Sequence, residues 1–419
     1  MVRAVDGAST LGHTRRMFRG WLVVAGAFGV MFVGYGATYA FSAFFDVLEV
    51  DFGATRAEVS LVFSIAGLLY FTLGAISGRL ADRIDPRWVI GFGVAVLGGG
   101  FLLAGNAASL AGLYVGYGLG VGIGVGFAYV PSIAAVQHWF LRKRGFASGL
   151  AVSGIGLGTL VVPPAAALAI AAFGWRDAWL AIGLGVLAIG GVATLFIEAS
   201  PAKRGLFPDG EAPAAGASVV AASGLSVGEA MRTRTFWTLA GGAGLASLGL
   251  FIPFVHLVPY AQDQGMNKAD AVLLFSLIGI GSTAGRFVLG GLADRLGRKR
   301  AQTLMFAGIA ASLAWWGVST APWALALFAL AFGTFYGGFV AIAPALAADL
   351  FGARNVSGII GVLYASVGFG TLVGPPLTGL AFDLTRSYAL PIWTTAFLTL
   401  GASALTATLR PPARLPAQS

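Results

Sequence analysis

The sequence has no cysteine, only three histidines in 419 residues, and just 10% charged residues. The first absence excludes disulfides, thiolate metal sites and thiol catalysis, and leaves the redox compartment unread. The second leaves little material for a histidine metal centre. The third sets the chain apart from soluble globular proteins, in which about a quarter of residues are charged. No segment matches the phosphate-binding loop of ATP-hydrolysing proteins. No metal, cofactor or nucleophile cluster is expected, and an enzyme reading finds no support.

What is present is apolar. Hydrophobic residues make up 57% of the chain, glycine contributes 63 residues, and mean hydropathy is +0.84. Glycines inside apolar runs let membrane helices pack backbone to backbone. Runs long enough to cross a hydrocarbon core of about 30 Å fall near 20–48, 59–81, 88–107, 111–138, 146–174 and 178–197, then 235–260, 270–293, 302–319, 322–350, 355–382 and 388–409. The expected fold is an all-α membrane protein of twelve transmembrane helices. Its divisions are a tail at 1–19, a six-helix bundle at 20–197, a linker at 198–234, a second bundle at 235–409 and a tail at 410–419. The linker is rich in Ala, Pro, Gly and Ser, with a short surface helix expected near 226–235. The polar start and the length of the first apolar run argue against a cleavable leader.

The net charge of +9 would suit nucleic acid, but the placement of the cations argues otherwise. Most lysines and arginines lie before the first run or after even-numbered ones: Arg15, Arg16 and Arg19; Arg79, Arg83 and Arg87; Arg142, Lys143 and Arg144; Lys203 and Arg204; Arg295, Arg298, Lys299 and Arg300. The other loops hold only Arg56, Arg176, Lys268 and Arg386, while Arg286 falls inside a run. Positive loops stay in the cytoplasm. Both termini are therefore expected there, in a multi-pass protein of the inner (plasma) membrane with lipid, not nucleic acid, around it.

Two motifs repeat at one spacing. Gly78-Arg79-Leu80-Ala81-Asp82-Arg83 returns as Gly290-Gly291-Leu292-Ala293-Asp294-Arg295, and Gly156-Leu157-Gly158-Thr159-Leu160-Val161-Val162-Pro163-Pro164 returns as Gly368-Phe369-Gly370-Thr371-Leu372-Val373-Gly374-Pro375-Pro376, both 212 residues later. Six helices bring the chain back to its starting side, so the halves are parallel repeats about an axis normal to the membrane. Such repeats enclose a binding site near the midplane.

The first motif resembles the G-x-L-A-D-R-x-G-R-K signature of the major facilitator superfamily. The second copy fits throughout; the first departs at Asp85 and Pro86. A narrower resemblance is to the monocarboxylate transporters and their bacterial oxalate/formate-antiporter-like relatives. It rests on Trp139-Phe140-Leu141-Arg142-Lys143-Arg144 running into Ala147-Ser148-Gly149-Leu150-Ala151, on Gly20-Trp21, on Phe254-Val255-His256-Leu257, and on Arg286 twelve residues after Leu274. The resemblance implies a transporter whose Arg286 anchors substrate. Three family features are missing. Ser42-Ala43 follows Tyr39-Ala40-Phe41 where animal members carry a lysine, Ser282 stands in place of an aspartate, and Val367 in place of the antiporters' lysine.

Arg286 is the leading candidate because an arginine at bilayer depth costs about 2.5–3.5 kcal/mol on insertion scales. Its repeat mate is Gly74, so the scaffold alone demands no cation there. Ser282 and Thr283 share its helical face. Tyr35, Tyr39, Tyr129, Tyr336 and Tyr364 could donate phenolic hydrogen bonds to a carboxylate, or pack as ordinary aromatics. Asp82, Arg83, Asp294 and Arg295 read as a gating latch, and His256 and Asp46 as candidates for proton linkage. The glycines at alternate positions from Gly116 to Gly126 read as a helix-packing seam, and the proline pairs as bends. The expected activity is secondary transport of small monocarboxylates such as lactate or pyruvate, proton-linked, by a monomeric unit. Exchange, uniport, a neutral solute and a non-transporting membrane sensor remain as alternatives.

Overall fold

The computed structural model describes residues 18–210, 224–352 and 354–410. The first half holds α1 (Gly20–Phe52), α2 (Arg56–Arg83), α3 (Pro86–Gly105), α4 (Leu110–Trp139), α5 (Arg144–Phe173) and α6 (Trp175–Leu195). The second holds α7 (Arg234–Asp263), α8 (Lys268–Leu296), α9 (Arg298–Gly317), α10 (Pro322–Phe351), α11 (Val356–Thr385) and α12 (Ala389–Ala407). Among the described residues there is no strand beyond one isolated bridge, Gly224 to Gly352. Eleven of these helices are long and apolar enough to cross a membrane. The remaining one, α9, is 20 residues long, but its opening Arg298-Lys299-Arg300 and Gln302 dilute its apolarity.

Local chemistry sets the helix ends. At α2 the Thr55 side chain accepts from the Glu58 N–H while Glu58 accepts from the Thr55 N–H, a reciprocal cap of the kind that stabilises by about 1 kcal/mol. Asp85 caps α3, with Pro86 at its first position, where a missing N–H costs nothing. Gly297, at φ +82°, supplies the left-handed turn that a side chain would resist between α8 and α9.

The repeat is visible in three dimensions. The α1 helix is interrupted at Ala40 and α7 at Phe251, within one residue of the 212 spacing. Gly158 of α5 lies against the Phe32 carbonyl of α1; Gly370 of α11 lies against the Gly244 carbonyl of α7, 212 residues on in both partners. The halves meet along two seams, α2 against α11 and α5 against α8. Gly361 backs onto Ala75 and Gly379 onto Arg56 and Ala57, while Gly156 abuts Gly279 and Thr283. The glycine row of α4 works as a two-sided seam: Gly116 and Gly120 meet Gly100 of α3, and Gly122 and Gly126 meet Ala66 and Tyr70 of α2. The helices continue through the proline pairs of α5 and α11.

The described ends of the linker are bound to the halves they adjoin. Its first part is strapped to the first half. The Arg87 guanidinium donates to the Ile197 carbonyl at 2.8 and 3.0 Å, Trp139 to the Glu198 carbonyl at 2.9 Å, and Lys203 pairs with Asp85 at 2.9 Å. The Asp209 carboxylate accepts from the Leu141 and Arg142 N–H groups at 2.9 and 2.8 Å. Its last part is fixed to the second half, with the Leu225 N–H donating to the Phe351 carbonyl at 2.8 Å. The expected surface helix is there, at Val227–Met231, capped by Ser226 and Glu229.

Candidate functional site

Arg286 sits in α8 where it faces α5, 7% exposed. Its Nη1 donates to the Val152 carbonyl at 2.7 Å, and its Nε has no hydrogen-bond partner. No carboxylate among the described residues pairs with it. A buried guanidinium bound to a single carbonyl keeps most of its five donors, and its charge, uncompensated.

Tyrosines surround it. Tyr35 and Tyr39 of α1, Tyr129 of α4 and Tyr336 of α10 lie within electrostatic reach of the guanidinium. The Tyr35 ring is 5.5 Å from both Tyr39 and Tyr129, and 6.1 Å from Tyr70. The hydroxyls of Tyr39 and Tyr336 approach to 3.4 Å across the two halves. Tyr364 of α11 stands one ring away, against Phe71 at 5.7 Å. One turn before Arg286, the buried Ser282 hydroxyl has no partner. That of Thr283 bonds the Gly279 carbonyl of its own helix at 3.0 Å, so it is already engaged. The structure thus gathers Arg286, Tyr35, Tyr39, Tyr129, Tyr336 and Ser282, and leaves Thr283 and Tyr364 at the margin.

Sequence reasoning missed Tyr70. It is buried in α2, against Tyr35, and its hydroxyl lies near that of Tyr39 without forming a well-shaped hydrogen bond. The signal was available: Tyr70 is the repeat mate of Ser282, 212 residues earlier, so two unpartnered hydroxyls occupy equivalent places in the halves.

Sequence reasoning also missed Arg56. At the face opposite the basic loops, Arg56 of α2 reaches Asp263 of α7 at 2.6 and 2.9 Å and the Tyr388 hydroxyl at 2.6 Å. Its guanidinium lies 3.8 Å from the centre of the Phe382 ring. His256 joins this cluster. Its Nε2 lies 2.9 Å from the Pro375 carbonyl, and so carries the proton, with Ser60 Oγ at 3.1 Å; Nδ1 is 3.3 Å from the Tyr388 hydroxyl. Asp46 is paired with Lys268 at 2.8 Å. Both proton-linkage candidates are therefore held at this face, away from Arg286.

At the basic face, Asp82, Arg83 and Arg295 are exposed and make no ion pair with any described residue. The Asp294 side chain lies outside the described residues. The ion pairs at this face among the described residues do not cross the halves: Arg298 with Asp349 joins α9 to α10, and Lys203 with Asp85 and Arg204 with Glu198 stay on the first half. A cavity of about 690 Å³ also opens at this face, lined by Asp82, Pro131, His138, Leu206 and Phe207 beneath the linker strap. It is remote from Arg286 and has no unpaired buried cation, so the chemistry favours the closed, tyrosine-ringed centre.

An all-helical bundle with internal repeats and, among the described residues, one buried cation without a carboxylate partner fits a membrane transporter, and comparison with known proteins agrees. Residues 27–316 match the Major Facilitator Superfamily, and residues 245–414 match the MFS_1 like family. The chain belongs to the Major Facilitator Superfamily. It is homologous to monocarboxylate transporters. It is 29% identical to human monocarboxylate transporter 11, covering 92% of this chain and 81% of that one. Identity is 28% to zebrafish (Danio rerio) monocarboxylate transporter 12-B, over 92% and 86%, and 29% to bovine (Bos taurus) monocarboxylate transporter 13, over 91% and 86%. Among solved structures, a bacterial homologue of the human lysosomal transporter Spinster, in an inward-facing and unoccupied conformation, aligns with a TM-score of 0.69. Identity is 16%, over 94% of this chain and 97% of that one.

Proposed function

We propose that this chain is a secondary transporter of small monocarboxylates, of the size of lactate or pyruvate, that carries them by alternating access. The buried, uncompensated charge of Arg286 carries the reading. A guanidinium offers a planar fork that binds one carboxylate through two hydrogen bonds, and the surrounding phenols supply further donors. A second carboxylate would stay buried and unpaired, at a cost of several kcal/mol. The names of the relatives favour the same substrate class.

On this reading α9 completes twelve crossings, and the basic loops and both termini face the cytoplasm across the plasma membrane. The contacts between Arg56 and Asp263 and between Asp46 and Lys268 then close the outer mouth. At the inner mouth Asp82, Arg83 and Arg295 form no latch across the halves with any described residue, while Arg286 itself is buried, as in an occluded centre whose inner latch is undone. One chain encloses the whole site, so a monomer suffices. With His256 and Asp46 both engaged at the outer mouth, a symported proton travels best on the substrate's own carboxyl group.

The test is uptake of radiolabelled lactate or pyruvate by purified protein in proteoliposomes. Saturable uptake accelerated by an imposed pH gradient supports symport. Uptake indifferent to that gradient but stimulated by internal anion assigns exchange. No saturable uptake of any monocarboxylate overturns the reading.

A further inference from the structure

Three carboxylates converge on one arginine where the halves meet at the outer mouth. Arg56 and Glu49 belong to the first half, at the start of α2 and near the end of α1. Asp263 and Asp383 belong to the second half, near the ends of α7 and α11. Arg56 spends both terminal nitrogens on Asp263. Asp383 accepts the N–H groups of Arg56 and Ala57 at 3.1 and 3.0 Å, where the N-terminus of α2 favours an anion. Glu49 approaches only Nε, at 3.5 Å, too far for a good hydrogen bond; that Nε has no hydrogen-bond partner. Glu49 is thus the surplus carboxylate. The charged and titratable groups that face it are Arg56, Asp263, Asp383 and Tyr388, and Lys268 is already paired with Asp46.

We propose that Glu49 and Asp263 compete for Arg56, and that the competition makes the outer gate proton-sensitive. Ionised Glu49 draws Arg56 back to its own half and repels Asp263 and Asp383 across the seam, which favours opening. A proton from the outer solution, bound on the Glu49 carboxylate, removes one negative charge. Arg56 is then left to Asp263, and the halves close. Acid outside favours the closed outer mouth, the step that commits a loaded site to inward release, and a neutral exterior frees it. The inference rests on the orientation and alternating access proposed above.

Ser64 provides the reporter. It lies two turns below Arg56 on α2, on the side shared by Ser60 and Gly67, which meet His256 and Thr371 of the other half. It is fully buried, and its hydroxyl has no partner. In this cysteine-free chain, Ser64→Cys is labelled in intact cells with a membrane-impermeant maleimide at acidic and at neutral external pH. Thiolate content itself rises with pH, so rates are normalised to exposed Gln264→Cys under the same conditions. The expected result is normalised labelling several-fold faster at neutral than at acidic pH. Added Glu49→Gln should make it slow and flat with pH. Arg56→Gln, and independently Asp263→Asn, should make it fast and flat. Labelling indifferent to pH without these substitutions, or Glu49→Gln that keeps the pH dependence, would overturn the proposal. A Gln264→Cys protein unlabelled from outside would overturn the orientation, and the gate proposal with it.

Discussion

Two hydroxyls, that of Tyr70 against the Tyr35 ring and that of Ser282 one turn before Arg286, are buried without a partner. Removing an unmade hydrogen bond costs the protein nothing in its empty state, whereas removing one made to a ligand loses about 0.5–1.5 kcal/mol. Tyr70→Phe and Ser282→Ala should therefore leave the melting temperature of the purified protein unchanged or raise it, since a buried unpaired hydroxyl carries a desolvation cost, while weakening substrate binding by up to roughly tenfold each. A lowered melting temperature of the empty protein with no change in affinity would assign both to packing. The two residues differ in how readily the sequence betrays them. Arg286 stands out because a cation inside an apolar run needs a reason, and Ser282 is found through it by helical spacing. Tyr70 sits in an apolar run as several packing tyrosines do, and only the repeat register singles it out. In the sequence Arg56 is one loop cation among several, because its partner Asp263 is 207 residues away, a separation no local pattern bridges.

At the scale of helices, close backbone approach decides what can change. Gly285 of α8 lies against the backbone of Thr334 in α10, and a β-carbon there would fall 2.8 Å from the Thr334 carbonyl carbon. Gly291, two turns further on, has nothing within 4 Å of that position. Gly285→Ala should thus lower the melting temperature, with overpacking of about 1–3 kcal/mol, and Gly291→Ala should be neutral. Equal effects would mean that helix propensity, not packing, governs α8. Helix existence was legible from apolar runs and caps, but interruptions were not. The proline pairs, which break helices in water, sit in continuous membrane helices whose neighbours can resatisfy the freed carbonyls. The actual breaks fall at Ala40 and Phe251; Pro253, at the start of the segment after Phe251, withholds the N–H that would bond the Gly249 carbonyl, whereas nothing local marks Ala40, so tertiary packing sets that break.

For the whole molecule, the pseudo-symmetry of the halves was legible because two motifs share one spacing, and the structure repeats its helix breaks and glycine contacts at that spacing. The state of the gates was not legible, since it depends on pairs formed between distant helices. Orientation is tested by the absence of native cysteine: single cysteines replacing Ser9 or Ala214 should resist impermeant thiol reagents in intact cells, and one replacing Gln264 should react. The reverse pattern would invert the molecule in the membrane. The central claim is that one buried guanidinium reads one carboxylate. Its most direct test is competition by monocarboxylates and dicarboxylates against radiolabelled monocarboxylate uptake in proteoliposomes, with Arg286→Ala and Arg286→Lys beside the native protein. Lactate and pyruvate should compete at least tenfold better than oxalate, malonate or succinate, as a difference above about 1.4 kcal/mol requires. Arg286→Ala should be folded but inactive, and Arg286→Lys should retain little, because an ammonium lacks the two-point fork. Dicarboxylates competing best, or Arg286→Ala transporting normally, would contradict the account.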